Sequence, residues 1–334
     1  MRKAGTLPFT QKNTISSKML DTLKFIQGAV ARKDHVPALV HFRIADGRIR
    51  GFNGTLALGS PIDLDLDVTP KATQFVKAIQ TCADTIQLHM TPTGRLAVKS
   101  GRFKAFIDCT PESFPTVEPE GTLVELATPI LPVLKVLAPF IADDASRPWA
   151  RGILFRGQTA TATNNIVLIE HWLDQPFPVE VNIPRAAIME ILRIGVEPSR
   201  LQMAEGSITF HYDSGRWLRS QVYATSWPDV AGLLDRPSTP VPVPPELWSA
   251  AEELAPFTDE LGRLHFCAGS VTTSLTDADG ASITLSNGPE AGCFNCDQLI
   301  ALSGLVKTID FTLYPKPCMF FGNQLRGAIV GMRV

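Results

Sequence analysis

The sequence predicts an α+β chain built from three tandem copies of one module, each an antiparallel β-sheet with two helices on one face. Three observations carry that prediction. The tetrapeptide Leu-Ala-Pro-Phe occurs at Leu137 to Phe140 and again at Leu254 to Phe257. The apolar positions leading into it keep one register: Ile130, Leu134, Leu137 and Ile141 in one copy, Leu247, Ala251 and Leu254 in the other, and Met19, Leu23, Ile26 and Val30 near the N-terminus. Such spacing marks the buried face of an amphipathic helix. Finally, the signals that follow each of these helices come in the same order. The distance between copies far exceeds the about 20–50 residues of a solenoid unit, so the copies are domain-sized.

Each copy opens on the helix just described. Short β-type runs come next: Leu39 to Ala45 and Arg48 to Leu58 in the first copy, Gly152 to Phe155 and Thr159 to His171 in the second, Arg263 to Ala268 and Ser270 to Asp277 in the third. Asp46-Gly47, Arg156-Gly157 and Ala268-Gly269 supply the tight turns that hairpins require. A second helix follows. Pro70 opens Lys71 to Thr81, with Phe75, Val76 and Ile79 on one face. Pro184 opens Arg185 to Ile194, with Ala187, Ile188, Ile191 and Leu192 inward, and Asn295 to Lys307 presents Leu299, Leu302 and Val306. Proline suits the first helical position because its missing N–H has no intrahelical partner there.

A β-meander closes each copy, over Ile86 to Asp108, Leu201 to Ala224 and Ile309 to Val334. The first two end alike, in Ser113-Phe114-Pro115 and Ser226-Trp227-Pro228, before the proline-bearing segments Thr116 to Gly121 and Pro237 to Pro245. The latter is a semi-rigid extended connector. The domains expected from these boundaries are 1–121, 122–238 and 239–334. Residues before about Thr14 read either as a first strand or as a loose arm. Two helices on one face of an antiparallel sheet is the natural packing for this order of elements.

A chain of 334 residues holds two or three domains of about 100–150 residues. Hydrophobic residues make up 45% and charged residues 19%, enough apolar material for real cores. No apolar run approaches the roughly 20 residues of a membrane span. The basic start, Met1-Arg2-Lys3-Ala4-Gly5, lacks the apolar block of a signal peptide. Six scattered cysteines do not make a disulfide framework, so a reducing, cytoplasmic setting is expected. The net charge of −2 does not announce a nucleic-acid binder; that role needs a basic surface hidden in the sum.

Catalytic chemistry finds little support. Cys293-Phe294-Asn295-Cys296 has the spacing of a zinc half-site or redox pair. A zinc site wants further ligands, for which Cys267, Cys318 and His265 are the candidates, and a redox motif wants a βαβ context that is not predicted here. These cysteines are expected to be structural. No GxxxxGK[ST] phosphate loop or dinucleotide GxGxxG is present. His171 and His211 lie in β-type runs without a nucleophile or orienting carboxylate pattern nearby.

Four stretches, in their order and spacing, carry a resemblance. They are Phe42-Arg43-Ile44-Ala45-Asp46-Gly47; Val98-Lys99-Ser100-Gly101-Arg102 continuing to Ser113-Phe114-Pro115; Arg147 to Phe155 followed by Ala162-Thr163-Asn164-Asn165; and Gly331-Met332-Arg333-Val334. Together with the threefold repeat, the chain resembles the bacterial replicative sliding clamp, the β subunit of DNA polymerase III, over essentially its whole length. Its compactness and diverged motifs suggest a phage or plasmid member. The resemblance implies a head-to-tail homodimer whose domains close into a ring around duplex DNA, helices lining the hole and sheets forming the outer wall. It also implies DNA polymerase and clamp loader as partners, with no catalysis, cofactor, metal or membrane.

A sliding tether needs phosphate attraction without base reading. The candidates are Lys18, Lys24, Arg32 and Lys33 on the first helix and its exit, and Lys71 and Lys77 on the second. The middle copy offers Lys135, Arg147, Arg151, Arg185 and Arg193. Arg32 and Arg147 stand where the resemblance places DNA contacts. The third copy is poorer, its first helix carrying Glu246, Glu252 and Glu253. The resemblance also implies a pocket for a short apolar partner peptide, walled by Thr163, Asn165, Val167, Leu168, Pro228, Leu233, Val330 and Met332. Here the family's Ala-Thr-Asp-Gly-His-Arg-Leu reads Ala162 to Leu168 as Ala-Thr-Asn-Asn-Ile-Val-Leu, so the peptide preference has room to differ. For ring closure, Phe103, Phe106 and Phe257 are the apolar candidates. The alternative to a ring is a clamp-like scaffold or decoy that binds replication partners without encircling DNA; the acidic third-copy helix favours it.

Overall fold

The computed structural model describes residues 12–33, 35–144, 146–223, 226–276, 279–286 and 288–333. The possible strand or arm at the N-terminus therefore lies, up to residue 11, outside the described residues; from Lys12 the chain is helical. In chain order the first copy gives α1 (Lys12–Ile26), β1 (Arg43–Ala45), β2 (Arg48–Phe52), β3 (Leu56–Pro61), α2 (Ala72–Thr81), β4 (Gln87–Met90), β5 (Leu96–Ser100) and β6 (Phe103–Ile107). The second gives β7 (Thr122–Glu125), α3 (Leu131–Leu137), β8 (Gly152–Arg156), β9 (Thr159–Thr163), β10 (Val167–Trp172), β11 (Val181–Pro184), α4 (Arg185–Ile194), β12 (Arg200–Ala204), β13 (Ser207–His211) and β14 (Trp217–Gln221). A short helix α5 (Ala231–Leu234) leads to the third copy. That copy has β15 (Val241–Pro242), α6 (Pro245–Leu254), β16 (Arg263–Cys267), β17 (Ser270–Thr272), β18 (Ser282–Thr284) and β19 (Ala291–Asn295). It ends with α7 (Cys296–Leu302), β20 (Val306–Ile309), β21 (Cys318–Gly322) and β22 (Leu325–Ile329). Among the described residues no helix is long and apolar enough to cross a membrane.

The repeated tetrapeptide has a structural meaning. In both places the α-helix tightens into a 3₁₀ turn, at Ala138–Phe140 and Ala255–Phe257. Proline has no N–H to continue the i→i−4 ladder. The register residues Leu23, Ile26, Ile130, Leu134, Leu137, Leu247, Ala251 and Leu254 are all buried. Each fully buried leucine or isoleucine contributes about 1.5–3 kcal/mol. The first series ends earlier than its spacing predicts. After α1 a 3₁₀ turn covers Gln27–Ala29, and Val30 is already extended. Gly28 leaves room beside the turn for the Glu190 carboxylate, which would lie 1.7 Å from a Cβ at that position.

Other local expectations are corrected by side-chain and glycine chemistry. Leu39 and Val40 belong to a 3₁₀ turn, Pro37–Val40, rather than to a strand. The run Arg48 to Leu58 breaks because Asn53 Oδ1 accepts the N–H groups of Thr55 and Leu56, at 3.1 and 2.8 Å. The run Thr159 to His171 breaks in the same way, Asn164 Oδ1 accepting from Ile166 and Val167 at 3.1 and 2.8 Å. Asparagine competes for backbone donors in this fashion and so ends strands. Beyond Ser270–Thr272 the third copy's second run gives way before β18, and Asp277 lies outside the described residues. Pro70 precedes the cap rather than opening α2: Lys71 is the extended N-cap, and Pro70 O accepts from Phe42 N at 3.0 Å. Val306 begins β20, because Gly304 at φ 74 turns the chain out of α7.

The chain folds as two compact units, 1–129 with 186–222 and 130–185 with 223–334. In the first, α1 packs on α2, and the sheets are β1-β2-β3-β14-β13-β12-β7 and β4-β5-β6. In the second, α6 packs on α7, and the sheets are β11-β8-β9-β10-β22-β21-β20-β15 and β18-β17-β16-β19. The antiparallel sheets thus do not stop at copy boundaries. One seam joins β3 to β14, with Ala57 opposite Arg219 and Leu58 opposite Leu218. The other joins β10 to β22, with Ile169 opposite Gly327 and Glu170 opposite Arg326. In each, the third strand after the first helix of one copy pairs with the last strand of the next.

The proline-rich connector is fastened by one buried carboxylate. Asp310, 1% exposed, accepts from Thr239 N at 2.6 Å and from Thr312 N at 3.1 Å. Burial raises its pKa, but the hydrogen bonds from Thr312 and Thr239 outweigh this and hold it below the usual carboxylate range. Asp310→Ala is expected to cost about 1.5–3 kcal/mol, read by thermal or denaturant unfolding. A folded pKa below the unfolded one gives stability that is complete above the unfolded value, about 3.9, and lost as pH falls through the folded value. The gap between wild type and variant should therefore close in acid.

Candidate functional site

The second unit carries an apolar cluster on the seam of β10 and β22. Leu154, Leu168, Trp227, Leu234, Met319 and Ala328 are its buried members, with Trp149, Val230, Leu233, Leu313 and Phe321 packed half-buried against them. Trp149 and Trp227 meet edge to face, ring centroids 5.0 Å apart. The Asn182 amide, itself buried, donates to Trp149 O at 2.8 Å and fixes that ring's backbone. The Trp227 indole N–H is buried without a hydrogen-bond partner. Large half-buried apolar side chains around a buried floor are the make-up of a protein-docking surface.

Of the residues expected to wall a pocket, Leu168 and Leu233 come together in this cluster. Pro228 is exposed beside Trp227 in the chain. Thr163 and Val167 are buried in the β9–β10 turn, Thr163 Oγ1 donating to Val167 O at 2.8 Å, and Val167 has no exposed surface to offer a partner. Asn165 holds the left-handed turn position at φ 73. Val330 and Met332 are anchored by their backbones, to Ile166 O at 2.8 Å and Cys293 O at 2.7 Å, and Tyr314 Oη donates to Met332 O at 2.9 Å. Trp149, Trp227, Val230, Leu313 and Phe321 are cluster residues that the sequence reading did not assign. The pair Trp227-Pro228 after the second meander was the one available signal.

The basic residues divide into two groups. Lys18, Lys24, Arg32, Lys33, Lys71, Lys77, Lys135 and Arg151 are exposed on helices, caps and turns. Arg147 is exposed and donates to Asn165 Oδ1 at 2.6 Å. Arg185 and Arg193 are committed internally. Arg185 Nη1 donates to Ile141 O at 3.1 Å and pairs with Asp143 at 2.9 Å. Arg193 pairs with buried Glu190 and donates to the carbonyls of Lys24 and Phe25, at 3.2 and 2.9 Å. It therefore closes the open end of α1, where cations are favoured. A phosphate would have to displace these partners.

No protein-family model and no curated protein matches the chain. Solved structures do. The sliding clamp of Bartonella birtlesii, a DNA polymerase III β subunit bound to griselimycin, superposes with a TM-score of 0.83 at 17% identity, covering 96% of this chain and 98% of that one. The Caulobacter crescentus β sliding clamp gives 0.81 at 17% identity, with the same coverage. The Pseudomonas aeruginosa DNA polymerase III β subunit gives 0.79 at 19%, over 98% of this chain and 100% of that one. The chain has the sliding-clamp fold.

Within that sliding-clamp fold the aromatic residues expected at an interface differ in exposure. Phe103 is half-buried, while Phe106 is 47% exposed on β6 with Lys104 Nζ 4.7 Å from its ring centroid. Phe257 is 60% exposed, although Phe140, its counterpart in the other tetrapeptide, is fully buried. Phe257 and exposed Leu275 line a cavity of about 450 Å³ with Asp259, Arg263, His265 and Asp279. The cysteine pair is core. Cys296 Sγ donates to Ala251 O at 3.3 Å, and burial pushes its thiol up to about 11. A thiol so raised is protonated at neutral pH. Among the described residues no three His, Cys, Asp or Glu side chains gather as a metal would require. His171 Nδ1 donates to Trp172 O at 2.7 Å, and His211 Nε2 lies 2.9 Å from Gln202 Oε1.

Proposed function

We propose that this chain is a DNA sliding clamp: three clamp domains, 1–121, 122–238 and 239–334, that close with a second copy into a ring around duplex DNA in the cytoplasm. The ring tethers a DNA polymerase, is placed by a clamp loader, and does no catalysis. One observation carries the reading. The seam between successive copies occurs twice, and among the described residues it leaves two strands of the corresponding kinds at sheet edges, β6 in the first copy and β18 in the third. A second copy placed head to tail completes the same seam a third time, which also protects both edges from uncontrolled pairing. Transferring the register of the two internal seams, aligned at the hairpin turns before the paired strands, sets Phe103 opposite Ile283, Lys104 opposite Ser282 and Ala105 opposite Ala281 of the second copy. The carboxylate of Asp279, in the cavity beside Phe257, complements Lys104 in sign.

The cluster around Leu168 and Leu233 takes the apolar peptide of polymerase or loader. The exposed cations Arg32, Lys33, Lys18, Lys24, Lys71, Lys77, Lys135, Arg147 and Arg151 face the phosphates. Arg32→Glu with Arg147→Glu is expected to leave the oligomer intact, weaken DNA binding and flatten its log–log salt dependence by about 2. A salt titration of DNA affinity beside the wild type checks this; an unchanged slope dismisses both assignments.

The reading is tested by the absolute mass in solution, measured by light scattering over a wide concentration range. Twice the chain's 36.4 kDa is expected. A scaffold that never encircles DNA is the second reading, favoured by Glu246, Glu252 and Glu253, all exposed on α6. It predicts a single-chain mass at every concentration.

A further inference from the structure

We infer that Arg326 is a positioning residue of the docking cluster, its guanidinium fixing α5 against β10 and β22. The inference rests on the cluster being a peptide-docking site. The helix α5 is a single turn, Ala231–Leu234, too short to persist on its own helical propensity. It nevertheless carries Leu233 and Leu234, and its N-cap is Val230, three side chains of the cluster. Its start is held by Asp229, whose carboxylate accepts from Ala231 N at 3.0 Å. Its end is held by Arg326 on β22: Nη1 donates to Leu234 O at 3.5 Å and to the C-cap Asp235 at 2.8 Å.

The same guanidinium reaches the sheet. Arg326 Nε donates to Glu170 at 2.7 Å, directly opposite on β10, and the guanidinium carbon lies 5.6 Å from the centre of the Trp172 ring. Glu170 is 12% exposed, so its charge is largely out of water and held by this partner. The seam itself has no need of an ion pair. At the matching place in the other seam, Trp217 stands opposite Gly59. The planar fork of arginine allows one side chain to bond Glu170 and α5 at once, which lysine, a single point donor, cannot do. Arg326 does not belong to the apolar cluster; it acts on a partner through α5.

The test separates the two arms of Arg326. Asp235→Asn loosens α5 and leaves the seam pair, Glu170→Gln loosens the seam pair and leaves α5, and Asp235→Glu restores the carboxylate. Binding of a fluorescein-labelled, amidated Leu-Ala-Leu-Phe peptide to the full chain is followed by anisotropy, with thermal unfolding in parallel. Asp235 is exposed, so a roughly threefold to fivefold weaker affinity is expected for Asp235→Asn. Asp235→Glu should lie within twofold of wild type, and Glu170→Gln should lower Tm with affinity nearly kept. Wild-type affinity in Asp235→Asn, or equal losses in Asp235→Asn and Glu170→Gln, overturns the positioning role. If the wild-type chain does not bind the peptide, or if Leu233→Ala binds it as well as wild type, the docking reading itself falls and the inference with it.

Discussion

Phe106→Arg is expected to convert the assembly from two chains to one without unfolding it. Phe106 projects from an edge strand at 47% exposure, so the change disturbs little within the chain. Head to tail, however, the transferred register sets this side chain beside Gly280, just before β18 of the second copy, where association removes it from water. An arginine there arrives beside Lys104 and must be desolvated without a partner of its own. Burying an unpaired charge costs several kcal/mol, and each 1.4 kcal/mol is tenfold in the dissociation constant. A weakening of at least a hundredfold should follow, with Tm at concentrations where both proteins are monomeric nearly unchanged. Light scattering on both proteins checks it. A variant that keeps the wild-type mass throughout would place the interface elsewhere.

The second large effect concerns the docking cluster. Leu168→Ala with Leu233→Ala should reduce affinity for an apolar partner peptide by about thirtyfold or more, since truncating central apolar anchors costs upward of about 2 kcal/mol in total. Leu168 is 7% exposed and part of the core, so its truncation also costs the fold about 2–5 kcal/mol. Leu233 is half-buried and closer to a pure surface test. The single variant Leu233→Ala should lose roughly tenfold in affinity with little change in Tm. Peptide titration of both variants, alongside DNA binding as a control that should not move, decides it.

The elements of this fold are legible because they are written in local patterns. Leu134 and Leu137, or Leu247, Ala251 and Leu254, recur at helical spacing and are buried where that spacing says. The turn at Asp46-Gly47, with φ of 53 and 67, is the hairpin the dipeptide predicts. Asn53 and Asn164 break strands through their own side chains, yet they sit inside longer apolar β-type runs in which the local pattern hides the break. Strand partnership is another matter. Nothing near Leu58 says that its neighbour will be Leu218, because pairing is set by tertiary packing and not by local residue choice. The docking cluster was half legible for the same reason. Leu168 and Leu233 follow from family likeness, whereas Trp149, Leu313 and Phe321 arrive from separate segments of the chain. Arg185 and Arg193 look like any surface cation in sequence. Their engagement with Ile141, Lys24 and Phe25 carbonyls appears only when the chain is folded.

The central claim, that a third seam closes a ring, is met most directly by sealing that seam. Cα atoms opposite one another on antiparallel strands are about 4.5–5.5 Å apart, within disulfide reach. In a chain whose exposed Cys267 is replaced by serine, cysteines are placed at Ala105 and Ala281, the dilute protein is mixed with nicked circular DNA, concentrated and oxidised. The expected product is a covalent dimer that stays with the circle through 1 M salt, where phosphate attraction is screened to about 3 Å, and is released when the circle is cut once. A disulfide-linked species that leaves the uncut circle in high salt, or an absence of the Ala105–Ala281 cross-link at concentrations that give the dimer mass, would contradict the ring.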